Sequence, residues 1–245
     1  MTELKRVDVS ASHITIGAAA SLEAAWRALV QEWPALRDLW LRFASLPIRH
    51  AGTMGGNVAN GSPIGDSAPA LIALGASIVL QKGSQQRRML LQDFYVDYMK
   101  NCLEAGEFVH SLQVPRARAA QAVRGYKISK RFDCDISAVC AVLTLEMSGS
   151  HIGAVSLAWG GMAAIVKRAA AAEAAMRGQP WTAATLQAAQ AALAQDFKPL
   201  SDMRASAGYR LQVAQNLLRR FWLETRPDAP LTESQVSVWA REEPL

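Results

Sequence analysis

Cysteine is scarce in this chain and scattered where it occurs. Cys102, Cys134 and Cys140 are the only thiols in 245 residues, and no Cys-x-x-Cys pair is present. Three thiols cannot all pair within one chain. A disulfide scaffold is therefore excluded, and a reducing cytoplasm is the expected location. An iron–sulfur cluster needs about four suitably spaced thiolates, so none is expected here. The four histidines (His13, His50, His110, His151) stand far apart without metal-ligand spacing, and no metal site is expected. Aromatic residues make up only 7% and do not interleave with basic ones. The net charge of +5 is modest for the length. Nucleic acid is therefore not an expected partner. No apolar run approaches the ~20 residues of a membrane span. The opening residues show no apolar stretch of signal-peptide type before their charges, so neither membrane nor leader is expected.

What the chain does contain is core material. Hydrophobic residues are 51% and charged ones 19%, enough for one large domain or two small ones. "HITIGAA" reads as a strand. Ser21 can cap a helix running to Glu32, with Leu22, Ala25, Trp26 and Leu29 on one face. Pro34 can open a second helix carrying Leu36, Leu39, Trp40 and Phe43 inward. Asp66 or Ser67 can cap a helix that Gly75 ends. "ASIVLQK" and "RRMLLQD" flank "GSQQ" as a hairpin, and "EFVHSLQVP" and "AVRGYKISK" read as strands. "ISAVCAVLTLEM" is too uniformly apolar for its period to separate strand from helix. "HIGAVSLAWGG" is its partner strand across "SGS". Alanine-rich helices follow, with a stop at Gly178 and a cap at Thr182, and Ser206 to Thr225 reads as a third, amphipathic helix. The boundary falls near Pro115 to Gln121. Residues 1–117 form an α+β unit, 118–228 a small sheet covered by helices on one face, and 229–245 a loosely held tail.

"RHAGTMGGNVANGSPIGDSAP" (Arg49–Pro69) holds five glycines in twenty-one residues and no simple period. Such stretches expose backbone N–H groups and let a ligand approach without an intervening Cβ. On composition alone, a cofactor cradle and a structural loop are equal readings. It matches neither a Walker A loop nor Gly-x-Gly-x-x-Gly.

The same stretch resembles the flavin-binding domain of the molybdenum hydroxylases, through Gly-Thr-x-Gly-Gly-Asn followed by Ser-Pro-x-x-Asp. "FVHSLQVP", "YKISKRFDCDISAVCAVLTL" and "LAWGGMAAIVKRA" continue the resemblance, which runs from about Ile14 to Thr225. Within the family it is most similar to the small subunit of bacterial xanthine dehydrogenases. The resemblance implies an α+β fold: the second lobe of a two-lobed, vanillyl-alcohol-oxidase/PCMH-type FAD-binding domain, then a C-terminal domain of the CO dehydrogenase flavoprotein type. It implies that the backbone around Thr53, Gly55, Gly56 and Asn57 cradles the FAD pyrophosphate. Phe43 would face the adenine, or simply fill a helix core. Asp66 would contact FAD, cap its helix, or both. Val109 would touch the flavin. Lys127 would stand at the isoalloxazine edge, where a positive charge stabilises reduced flavin; the alternative is a solvated basic stripe with Arg124, Lys130 and Arg131. Asp135 would orient that segment, and Trp159 reads as core.

The implied activity is an oxidoreductase step. Electrons from xanthine or hypoxanthine oxidation would pass from iron–sulfur clusters to FAD and on to NAD+. The molybdenum cofactor and the clusters would sit on a molybdenum-binding large subunit and an iron–sulfur domain. A homo-oligomer is an open option. The family's other glycine turn, of Val-Gly-Gly-Thr type, has no counterpart before Ile14. The resemblance therefore implies one jaw of an FAD clamp, and retention of FAD by this chain alone is a question for measurement. The alternatives are a folded assembly module without flavin, with Arg116, Arg118, Arg124 and Lys130 facing an acidic partner, or the flavin subunit of a related aldehyde, CO or aromatic acyl-thioester dehydrogenase.

Overall fold

A computed structural model describes residues 2–237. The first unit opens with β1 (Val7–Val9) and β2 (His13–Gly17), paired antiparallel. α1 (Leu22–Glu32) begins at Ser21, whose Oγ accepts from the Ala24 N–H at 3.1 Å. Leu22, Ala25, Trp26 and Leu29 are all buried, as their helical spacing demands. Pro34 opens only a 3-10 turn, Pro34–Leu36, before α2 (Arg37–Arg42). Leu36 and Leu39 are buried, whereas Trp40 and Phe43 are half-buried beyond them.

The glycine-rich stretch is not an irregular loop. It contributes to α3 (Leu46–Ala51) and forms α4 (Met54–Ala59). α5 (Ser67–Ala73) follows and ends before Gly75, which takes φ +75°. β3 (Ser77–Lys82) and β4 (Gln85–Leu90) turn at Gly83-Ser84, so both glutamines of the expected loop belong to the strand. A small hairpin, β5 (Tyr95–Asp97) and β6 (Lys100–Asn101), precedes β7 (Phe108–Pro115). The resulting sheet runs β1-β2-β7-β3-β4, antiparallel throughout.

The second sheet runs β11-β10-β9-β8, from β8 (Gln121–Ile128), β9 (Val139–Ser148), β10 (His151–Gly160) and β11 (Lys167–Arg168). α6 (Ala170–Met176), α7 (Ala183–Asp196) and α8 (Ala207–Thr225) follow, with Thr182 and Ser206 side chains capping the last two. The uniformly apolar run is strand β9, and its burial on both faces is why no alternation is visible. Val139, Ala141, Leu143 and Leu145 join the core under α6–α8. Cys140 and Val142 face the other way, into the core shared with α1, α2 and α5. Within the second unit α6–α8 cover one face of the sheet, as expected, and its other face packs on α2 and α5 of the first unit. Gly125 marks how close the first unit comes, since a Cβ there would meet Leu36 Cδ2 at 2.9 Å.

The tail is also better held than expected as far as it is described. α9 (Glu233–Val236) carries a capping box, the Leu231 N–H donates to Leu223 O at 2.8 Å, and Arg220 donates to Val236 O at 3.0 Å. Residues 238–245 of the expected tail lie outside the described residues. Among the described residues no helix is long and apolar enough to cross a membrane.

Candidate functional site

The glycine turn is built on a short antiparallel bridge. Ser21 and Thr53 face each other while Leu22 N–H donates to Gly52 O and Met54 N–H to Ala20 O, both at 2.9 Å. In this pattern the facing pair does not bond to each other, so the Thr53 N–H points away from the ladder. It has no acceptor among the described residues. Gly55 N–H donates to Ala18 O at 2.9 Å, and Asn57 N–H to Thr53 O at 3.0 Å. Thr53 Oγ1 accepts from Gly56 N–H at 3.2 Å, capping α4. The four N–H groups from Met54 to Asn57 are thus already engaged within the chain. An open nest of glycine N–H groups, as composition suggests, is not what the fold builds. The uncommitted donors are the Thr53 N–H, the Thr53 hydroxyl proton and the Asn57 carboxamide, which makes no hydrogen bond with the described residues.

The two neighbouring glycines differ. A Cβ on Gly55 would meet Ala18 Cβ at 2.5 Å and Ala18 backbone atoms at 2.7 Å, so this glycine is demanded by packing. A Cβ on Gly56 would meet only Thr53 Oγ1, at 2.8 Å, and the residue is otherwise exposed. The far end of α4 is closed by side chains that the sequence did not point to. Tyr95 Oη donates to Val58 O at 3.1 Å and Asn101 Nδ2 to Ala59 O at 3.0 Å.

Asp66 and Lys127, sixty-one positions apart, meet directly. Lys127 Nζ donates to Asp66 Oδ2 at 2.6 Å, and both side chains are nearly inaccessible. Ser137, which sequence reasoning missed, completes the group: it accepts from Lys127 at 2.7 Å and donates to Asp66 Oδ1 at 2.6 Å. Asp66 stands at the N-cap position of α5, but its carboxylate makes no capping bond. Its oxygens are drawn to Lys127 and Ser137 instead. Of the alternative basic stripe, Lys130 and Arg131 are exposed as a solvated face requires, whereas Lys127 is not. Lys127 is buried, Arg124 pairs with buried Glu224 at 2.7 Å, Arg131 pairs with Asp135 at 3.4 Å, and Lys130 donates to Met203 O at 2.7 Å. The residues expected to face an acidic partner are similarly engaged, with Arg116 on Glu32 and Arg118 on Glu146.

Phe43 packs obliquely on Trp26, with ring centroids 6.1 Å apart, and the Trp26 indole donates to Ser67 Oγ at 3.3 Å, one residue from Asp66. The backbone at Phe43 is held by buried Arg49, whose Nη1 donates to Phe43 O and Ala44 O at 2.9 Å. Arg49 in turn pairs with buried Glu23 at 2.8 Å. Burial pushes the Glu23 carboxyl up, but Arg49 and the Trp40 N–H outweigh it and the net shift is downward. Neither residue was singled out from the sequence. Val109 lies in β7 opposite Leu80, in the core, and the next residue's carbonyl accepts from the Ala18 N–H at 2.9 Å. Ala18 thereby links β7 to Gly55. Asp135 accepts from the N–H groups of Arg131 and Ile136, which holds its carboxyl below the usual range and orders the segment before Ser137. Trp159 is fully buried edge-on to Phe197. Clefts of about 250 and 320 Å³ lie elsewhere; none of the eight site residues lines either.

Comparison with known proteins bears on the domains that carry these residues. Residues 1–117 fit the profile described as the FAD binding domain in molybdopterin dehydrogenase, and 124–225 that of the CO dehydrogenase flavoprotein C-terminal domain. The chain belongs to the FAD-binding-domain family of the molybdopterin dehydrogenases. It is 33% identical to a xanthine dehydrogenase from Emericella nidulans over 78% of its own length and 14% of that protein. It is 30% identical to the carbon monoxide dehydrogenase medium chain of Afipia carboxidovorans, over 78% of this chain and 66% of that one. Among solved structures, a carbon monoxide dehydrogenase from Hydrogenophaga pseudoflava superposes with a TM-score of 0.83 at 26% identity, covering 90% of this chain and 77% of that one. The chain thus spans about a seventh of the xanthine dehydrogenase it matches. The family resemblance, the α+β fold, and the pairing of an FAD-binding domain with a CO dehydrogenase flavoprotein C-terminal domain, which the motifs implied, are as expected.

Proposed function

We propose that this chain supplies one wall of the FAD site in a xanthine dehydrogenase-type molybdenum hydroxylase, with 1–117 as the FAD-binding lobe and 118–228 as the C-terminal domain. The supporting observation is Gly56. It is exposed, and a Cβ there would meet nothing but the cap hydroxyl. The Thr53 N–H and hydroxyl and the Asn57 carboxamide suit a pyrophosphate, which accepts hydrogen bonds from neutral donors as well as cations. Phe43 would contact the adenine and Val109 the flavin. Asp66 would hold Lys127 at the flavin edge. When bound, FAD would supply the hydride and electron chemistry.

In this reading no side chain of this chain acts as general acid or base. Lys127 contributes a fixed positive charge, kept dry by burial and balanced by Asp66. Electrons would arrive from an iron–sulfur domain and a molybdenum-binding large subunit, with xanthine or hypoxanthine as substrate and NAD+ as acceptor. The three free thiols fit a cytoplasmic setting. A flavin subunit for aldehydes or CO remains the second reading, favoured by the similarity to the Afipia medium chain. The test is a titration of the chain with FAD, followed by visible absorbance and heat. A yellow complex of micromolar or tighter affinity supports the reading. A colourless protein with no heat of binding makes the chain an assembly module instead.

A further inference from the structure

We propose that Ser137 is a positioning residue for Lys127, fixing the ammonium group that the flavin site described above would use. The proposal rests on that FAD reading for its consequence, but not for its geometry. The direction of each bond follows from chemistry: an ammonium can only donate and a carboxylate can only accept. Ser137 therefore accepts from Lys127 at 2.7 Å and passes its own proton to Asp66 Oδ1 at 2.6 Å. The direct Lys127–Asp66 contact at 2.6 Å closes a ring of three hydrogen bonds. In an open pair the lysine stem could swing about one carboxylate oxygen. In the ring any such swing breaks a second bond in a site where water cannot replace it, since the three residues are 1–3% exposed.

Two features argue that this is more than satisfying a buried hydroxyl. The ring uses two of the three ammonium protons and leaves one uncommitted among the described residues. A ring that fixes two donors also fixes the third. Ser137 itself has little freedom: the next residue's N–H donates to Ile128 O at 2.8 Å, and its carbonyl accepts from buried Arg210.

The test compares Ser137→Ala, Ser137→Cys and Ser137→Thr in the full chain. The first readout needs no cofactor: exchange of the Lys127 ammonium protons with water, followed by 1H–15N NMR. Ser137→Ala should accelerate it at least tenfold, and Ser137→Thr should restore it. The second is the midpoint potential of bound FAD. A tenfold loss of preference for reduced over oxidised FAD lowers a two-electron potential by about 30 mV. Wild-type exchange in Ser137→Ala overturns the proposal. So does faster exchange with an unchanged potential, because that outcome is merely structural. Ser137→Cys fills the same space with a weaker donor and should show both effects at smaller size; it carries the test if Ser137→Ala fails to fold. If wild-type protein takes up no FAD, the FAD reading falls, and the exchange measurement alone decides the positioning role.

Discussion

The glycine turn and the Lys127–Asp66–Ser137 ring are opposites in construction. The turn is local: Thr53 caps a residue three positions on, and its outward side is exposed. The ring is assembled across 10, 61 and 71 positions of sequence and is closed to solvent. A local, exposed motif can be altered with small cost to the fold. A buried ring of charge cannot, since each partner stabilises the others against desolvation. Function and stability should therefore separate at the turn and coincide at the ring.

The largest effect should come from breaking the ring. Lys127→Met leaves the Asp66 carboxylate buried beside a thioether and should destabilise the chain by about 3–5 kcal/mol, read by urea unfolding. The double change Lys127→Met with Asp66→Asn should recover part of that loss, because no uncompensated charge remains. Equal losses in the single and double variants would show that the pair is worth nothing as a pair.

This contrast also explains what could be read in advance. The Gly-Thr-Met-Gly-Gly-Asn turn was legible because its glycines, threonine and asparagine stand together within six residues. The caps at Ser21 and Thr182 were legible for the same reason. Ser137 was not, because a serine in an apolar segment has no period, and its partners belong to α5 and β8. Arg49 and Glu23 were missed likewise. An arginine at the end of a short helix reads as solvated until α1 closes over it. The engaged N–H groups of the turn were equally invisible: composition shows that glycines are present, not that Ala18 O already takes the Gly55 N–H and Thr53 Oγ1 the Gly56 N–H.

A smaller effect sharpens the comparison within the turn. Gly55→Ala places a Cβ against Ala18 backbone atoms at 2.7 Å that cannot move cheaply. It should cost about 1–3 kcal/mol, read by thermal unfolding. Thr53→Ala removes the cap of α4 and should cost about 1 kcal/mol. At the ring's outer edge, Asp202 anchors Arg210 at 2.7 Å, and Arg210 holds the carbonyl beside Ser137. Burial raises the Asp202 carboxyl, but the N–H groups of Arg204 and Ala205 and the Arg210 guanidinium outweigh it and bring it from 3.8 to about 2. A depressed carboxyl stabilises the fold above its unfolded value, and that stability is lost as pH falls from 3.8 towards 2. Asp202→Asn should therefore flatten the stability–pH curve in that window. An unchanged acid limb would remove Asp202 from the account.

The smallest effect on stability should be the most informative about function. Gly56→Ala displaces the Thr53 hydroxyl from its cap, costing about 1 kcal/mol. It also replaces a glycine inside α4 by the best helix former, gaining about 1 kcal/mol. The two nearly cancel, so the unfolding midpoint should scarcely move. FAD affinity should nonetheless fall about tenfold or more, ~1.4 kcal/mol, because the methyl occupies the open side of the turn and disturbs the Thr53 donor. Lost binding at unchanged stability, read by titration and thermal melt on the same sample, would separate cradle from loop. Retained binding would mean that the cofactor approaches elsewhere and that the glycine pair serves packing through Gly55 alone.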